Sequence, residues 1–151
     1  MKLLKNNKDG WQYEMNRREG DCLRSLLNQF PITESNHAKI SRTCVEPKTV
    51  EREKLLNESM SQHRNDLKKL ANNLMSADKL KAGQNGCRLL ISPEEREILF
   101  QILNDIRVGC WRELGEPENL EPKTSPPSHK ELVFYNLMNL AGYFEHSLLK
   151  Q

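Results

Sequence analysis

A chain of 151 residues has the length of one domain and can hold a single core. Its 23 basic and 21 acidic side chains leave a formal charge of +2. That gives no strong field for capture of nucleic acid or an anionic membrane, and room only for a local basic patch. A hydrophobic share of 36% beside a charged share of 29% predicts exposed helix faces and at least one solvated loop, not a disordered chain.

Residues Lys2 to Lys5 and Trp11 to Met15 flank Asn6-Asn7-Lys8-Asp9-Gly10, where Asp-Gly is a hairpin turn signal. Trp11, Tyr13 and Met15 alternate with Gln12 and Glu14, so one strand face is apolar. A lone hairpin is marginal in water, and Cys87 to Ile91 is the candidate third strand. Leu23, Leu26, Leu27 and Phe30 share a helical face and predict a first helix from Arg17 to Gln29, stopped by Pro31. Residues 32–47 are polar and patternless, and read as a connection.

A long helix is expected from Thr49 to Ala77. Leu56, Met60, His63, Leu67, Leu70 and Leu74 alternate steps of four and three, the narrow seam of a bundle or coiled-coil helix. So narrow a stripe places the helix on the outside of the fold, with His63 as a core position. Gly83 to Gly86 then turn the chain. Ser92-Pro93-Glu94-Glu95 opens the next helix with a capping serine, a first-turn proline and carboxylates opposing the dipole. Ile98, Leu99, Ile102, Leu103 and Ile106 make a broad apolar face, so this is the central helix, ending near Leu114-Gly115. Residues 115–128 hold Pro117, Pro122, Pro126 and Pro127 and read as a solvated loop. The last helix runs from His129 to Lys150, with Val133, Leu137, Leu140, Phe144 and Leu148 on one side. The expectation is one α+β domain over residues 1–151, mostly helical, with a small three-stranded antiparallel sheet packed on about four helices.

Asn104, Arg107 and Trp111 share a helix edge and form the candidate interaction edge, since a guanidinium fork, an amide and an indole suit docking of a partner or an acidic group. The alternative is structural: Arg107 pairs with a carboxylate of the long or the last helix, and Trp111 closes the core. Gly109, unfavourable inside a helix, predicts a close helix contact in which Gly142 supplies the matching small surface and Cys110 lies between.

The histidines (His37, His63, His129, His146) and cysteines (Cys22, Cys44, Cys87, Cys110) have no metal-ligand spacing. Neither phosphate-cradling glycine pattern occurs, and no local signature marks a catalytic cysteine. No catalytic residue, metal or cofactor is therefore assigned. Arg17-Arg18 and Lys68-Lys69 are diluted by acidic neighbours, so nucleic acid is not the expected partner. No segment approaches the apolar length of a membrane span. Met1 to Lys5 lacks the apolar run of a secretory signal, so free thiols and a cytoplasmic location are expected.

Three segments together resemble a bacterial family, domain of unknown function number two thousand and seventeen. They are the hairpin running into Arg17-Arg18-Glu19-Gly20-Asp21-Cys22-Leu23, the stretch Leu89 to Glu95 through Leu103-Asn104-Asp105-Ile106-Arg107, and the closing Ala141-Gly142-Tyr143-Phe144-Glu145-His146. Val108-Gly109-Cys110-Trp111 after the arginine is similar to a planctomycete or verrucomicrobial type. The resemblance implies a compact, mostly helical bacterial cytoplasmic protein and transfers no catalytic residue. The functional expectation is a non-catalytic interaction or adaptor domain with a protein partner. The alternatives are an enzyme with a site assembled around Arg107, with Asn104 and His146, or a nucleic-acid-binding regulator.

Overall fold

The computed structural model describes residues 1–7, 10–32, 47–83, 86–117 and 126–150. The Lys8-Asp9 turn, nearly all of the polar connection and the middle of the proline loop lie outside the described residues.

The elements run β1 (Lys2–Asn7), β2 (Gly10–Met15), α1 (Arg17–Gln29), α2 (Pro47–Leu74), β3 (Leu80–Gly83), β4 (Gly86–Ile91), α3 (Pro93–Glu113) and α4 (His129–Leu149). The fold is mostly helical with a small antiparallel sheet, as the periodicity implies. The sheet has four strands, in the order β1-β2-β4-β3, where three were expected. β4 pairs with β2 as anticipated, Tyr13 opposite Leu89 and Met15 opposite Cys87. The additional strand, β3, is short and mostly polar, and its one buried residue is Leu80. The expected helix end at Ala77 absorbed the segment before it. In the structure α2 ends at Leu74 and a tight turn follows, with Lys79 and Leu80 N–H groups both donating to the Ser76 carbonyl.

Three helices start on the same reciprocal device. Asn16, Ser92 and Ser128 each accept from the backbone N–H three residues on, and Glu19, Glu95 and Glu131 each bond back to the capping residue's N–H. Glu95 also holds Lys79 at 2.8 Å, tying the start of α3 to the turn before β3. Burial raises the Glu95 carboxyl pKa, but the Lys79 ammonium and the Ser92 N–H outweigh it and hold the group below its ordinary value.

One face of the sheet presents Tyr13, Met15, Leu80, Cys87, Leu89 and Ile91 to the helices, all buried. α1 covers part of this face because Gly20 lacks a side chain: a Cβ there would stand 2.7 Å from the Cys87 sulfur. α3 forms the centre, with Leu99, Ile102, Leu103 and Ile106 fully buried and Ile98 half-buried. α4 packs antiparallel along it through Ala141, Phe144 and Leu148. The far end of the α4 stripe behaves differently from expectation: Val133 is exposed, and Leu137 and Leu140 are only half-buried.

Arg96 pins three elements at the foot of α3. Its guanidinium lies 4.2 Å over the Trp11 ring, its Nε donates to the Tyr13 hydroxyl at 3.2 Å, and its Nη2 donates to the Leu148 carbonyl at the end of α4. Burial raises the Tyr13 hydroxyl pKa, and the neighbouring Arg96 charge only partly opposes it.

The α2 seam is covered over half its length. Leu67, Ala71 and Leu74 are buried, while Leu56 is 43% exposed and His63 is exposed. The expected core position of His63 is thus corrected: the helix is fully buried on the body only from Leu67 onward, and in the preceding turns Met60 and Arg64 are half-buried beside α3 while Leu56 and His63 are exposed.

Candidate functional site

The three residues of the α3 edge go to three different neighbours. Arg107 Nη1 donates to Glu145 Oε2 on α4. Asn104 lines a groove between α2 and α3. Trp111 Nε1 donates to the Pro117 carbonyl at 3.2 Å, and its ring is 38% exposed.

The expected carboxylate partner of Arg107 is therefore found on α4, with the burial reversed. Arg107 is about half exposed, whereas the Glu145 side chain is 6% exposed. The carboxylate is the member that leaves water, and its Oε1 has no hydrogen-bond partner. A charge removed from water on these terms depends on its counter-ion. Glu145 carried a sequence signal that the expectations passed over. It sits four residues after Ala141 and three before Leu148, on the apolar face of the helix, where an unpaired acid would be out of place.

The expected Gly109–Gly142 contact does not form. A Cβ at Gly109 would meet Ile32 Cβ at 3.0 Å, so this glycine admits the chain leaving α1. A Cβ at Gly142 would come 3.8 Å from Arg107 Nε, so the second glycine makes room for the guanidinium stem. Cys110 is fully buried in the core. Burial, and to a smaller degree the charge of Glu113, pushes its thiol up to about 11.

The groove beside Asn104 encloses about 610 Å³. Met60, Leu67 and Val108 give it apolar lining, and His63, Asn104 and Asp105 give it polar lining. Arg64 Nε stands 3.9 Å from Asp105 Oδ2, linking α2 to α3 across it. Neither Arg107 nor His146 lines this groove. Exposed apolar residues lie elsewhere on both helices as well: Val50, Leu55 and Leu56 on α2, Trp111 on α3, and Val108 in the groove itself.

Among the described residues no group of three or more His, Cys, Asp or Glu side chains is placed to hold a metal ion. No described helix is long and apolar enough to cross a membrane. Comparison with known protein families, with characterised proteins and with solved structures finds no match for this chain.

Proposed function

We propose that this chain is a non-catalytic protein-interaction domain whose docking surface is the unseated half of α2 together with the adjoining edge of α3. The observation that carries this reading is the change in cover along one continuous seam. Leu67 is 6% exposed, yet Leu56, on the same seam, is 43% exposed and His63 between them is exposed. A helix that keeps its apolar spacing where its own body ends supports a partner there. The bacterial, cytoplasmic setting implied by the family resemblance belongs to the same proposal.

The enzyme reading has weaker support. It needs Arg107, Asn104 and His146 around one ligand, and Arg107 is engaged by Glu145 while Asn104 faces the α2 side. Cys110 is an unsuitable nucleophile, since burial moves its thiol away from the thiolate form.

The test is affinity capture from a native lysate with the wild-type chain and with Leu56→Glu. The expected result is a protein recovered with wild type and lost with the variant, at unchanged circular dichroism and melting temperature. Equal recovery with both chains would move the docking surface elsewhere. Recovery of neither a cellular protein nor a second copy of the chain itself under gentle conditions overturns the proposal.

A further inference from the structure

The charge pattern along the unseated half of α2 is self-complementary in one orientation. The seam positions are Glu53, Leu56, Met60 and His63, and the residues flanking them on one side are Arg52, Ser59 and Asp66. Arg52, Leu56, Ser59, His63 and Asp66 are all exposed, and Met60 and Glu53 are half-buried. Place a second copy of α2 antiparallel, with a two-fold axis near Glu58–Ser59. Leu56 then meets the partner's Met60, and Met60 meets the partner's Leu56. Glu53 faces the partner's His63 on either side of that centre. Arg52 flanks the partner's Asp66, twice, once at each end of the paired stretch. Opposite-charge flanking pairs of this kind set partner choice and orientation in paired helices.

The parallel orientation fails on the same residues. It sets Glu53 against the partner's Glu53 in the seam, two like charges at close quarters. It also brings both protein bodies to the same end, where Leu67, Ala71 and Leu74 are already seated on their own chain. The antiparallel arrangement sends the two bodies to opposite ends. Val108, exposed on the neighbouring edge of α3, then lies beside the incoming helix and extends the apolar patch.

We infer that the partner of this surface is a second copy of the same chain, joined through an antiparallel pairing of the α2 helices centred on Leu56 and Met60. This rests on the interaction-domain reading above and names its partner. The paired stretch is about four turns of helix, roughly 22 Å at 1.5 Å per residue, which places the interface in the small, weakly associating class. Asp66 accepts from Gln62 at 3.1 Å and lies 3.7 Å from Lys69 within its own helix. These are exposed intrahelical contacts of little energetic weight, and they leave the carboxylate at the surface.

The experiment is sedimentation equilibrium over roughly 10–500 µM chain, a range chosen for weak association. It uses wild type, Leu56→Glu, Arg52→Glu and Asp66→Arg, and an equimolar mixture of the two charge variants. Wild type is expected to show a reversible monomer–dimer equilibrium. Leu56→Glu should weaken it by at least about tenfold. Arg52→Glu alone sets two carboxylates against each other at each end of the paired stretch. Asp66→Arg alone sets two guanidinium groups together at the same places, so each variant should associate more weakly than wild type. Their mixture restores opposite charges at both ends and should associate more tightly than either variant alone. Arg52 and Asp66 are exposed, so these changes leave folding intact and keep the test valid if Leu56→Glu does not fold. A wild-type dimer whose charge variants gain nothing on mixing overturns the α2 pairing. A wild-type monomer throughout overturns self-association. If that monomer still captures a cellular protein through Leu56, the interaction-domain reading survives; if it captures none, both fall.

Discussion

Helices α2 and α3 both carry apolar residues at helical spacing over many turns, and the protein treats them in opposite ways. On α3 the stripe is broad, and Leu99, Ile102, Leu103 and Ile106 are each at most 1% exposed because α4 and the sheet close around them. On α2 the stripe is one residue wide per turn. Along it only Leu67 and Leu74 are buried, with Met60 and Leu70 half-buried and Leu56 and His63 exposed. Stripe width thus sorts a helix into centre or periphery. How far along a peripheral helix the cover extends is decided by the length of its neighbours, which no local pattern records.

The sharpest way to break this contrast is to truncate one leucine on each helix. Leu103→Ala should cost about 2–5 kcal/mol, because a fully buried leucine leaves both lost transfer energy and a cavity. Leu56→Ala should cost under ~1 kcal/mol, as truncations on an exposed surface do. Urea titrations of dilute protein measure both. Near-equal losses would mean that Leu56 is covered by its own chain and that the two helices do not differ as described.

Alkaline pH sharpens the picture of the packed region. The Cys110 thiol is raised from an ordinary value of 9.0 to about 11 by burial, with Glu113 adding to it. The folded state therefore holds the proton more tightly than the unfolded chain. That stability is fully present below pH ~9 and is lost as pH rises toward ~11, amounting to roughly 2–3 kcal/mol at about 1.4 kcal/mol per unit. Denaturation midpoints measured from pH 8 to 11.5 should fall in wild type and fall less in Cys110→Ala. Tyr13, also raised by burial, contributes in the same direction to both chains. Parallel pH profiles for the two chains would show that Cys110 is not sealed from water.

Helix starts and the central helix were legible because their signals are local. Ser92-Pro93-Glu94-Glu95 supplies its own cap, and the α3 stripe needs no partner to be recognised. β4 was legible through its apolar residues, whereas β3 was not. Lys79-Leu80-Lys81-Ala82-Gly83 has one buried side chain, and its pairing is dictated by β4 rather than by its own composition. His63 and Val133 mark the same boundary on the helices, since each continues a stripe past the point where a neighbour covers it. Of the candidate edge, the Arg107 pairing was legible in kind. The choice of Glu145 on α4, the turning of Asn104 toward α2 and the diversion of Trp111 to Pro117 all depend on how α3 is rotated between its neighbours.

Arg107 lies on the border between the two regions and tests whether its role is structural. Arg107→Ala leaves the buried Glu145 carboxylate without its counter-ion. The guanidinium is about half exposed, so the loss should be nearer ~1–2 kcal/mol than the larger cost of breaking a fully buried pair. Arg107→Lys should restore only part, since lysine lacks the planar fork. Adding Glu145→Gln to Arg107→Ala should recover much of the loss by removing the stranded charge. Thermal melts of the four chains decide it. Unchanged melting temperatures together with lost partner capture would make Arg107 part of the docking surface instead.

The smallest expected effect concerns the point where α2 changes from docked to free. α1 has no basic residue in its last turn to oppose the negative end of its dipole. Lys68, one residue beyond the first buried seam position, supplies that charge from α2. Its Nζ donates to the carbonyls of Leu27 at 3.4 Å, Asn28 at 3.2 Å and Phe30. A cation on these orphan acceptors contributes about 0.5–1 kcal/mol, and it also fixes where α2 first grips the body. Lys68→Met keeps the apolar stem and removes the charge. It should lower stability by about 1 kcal/mol or less, while amide exchange at residues 64–70 of α2 rises more than at the α3 core. Exchange that rises uniformly would show that Lys68 adds only to global stability. Exchange that rises on α2 alone would show that one lysine sets the boundary between the seated and the unseated halves of the helix.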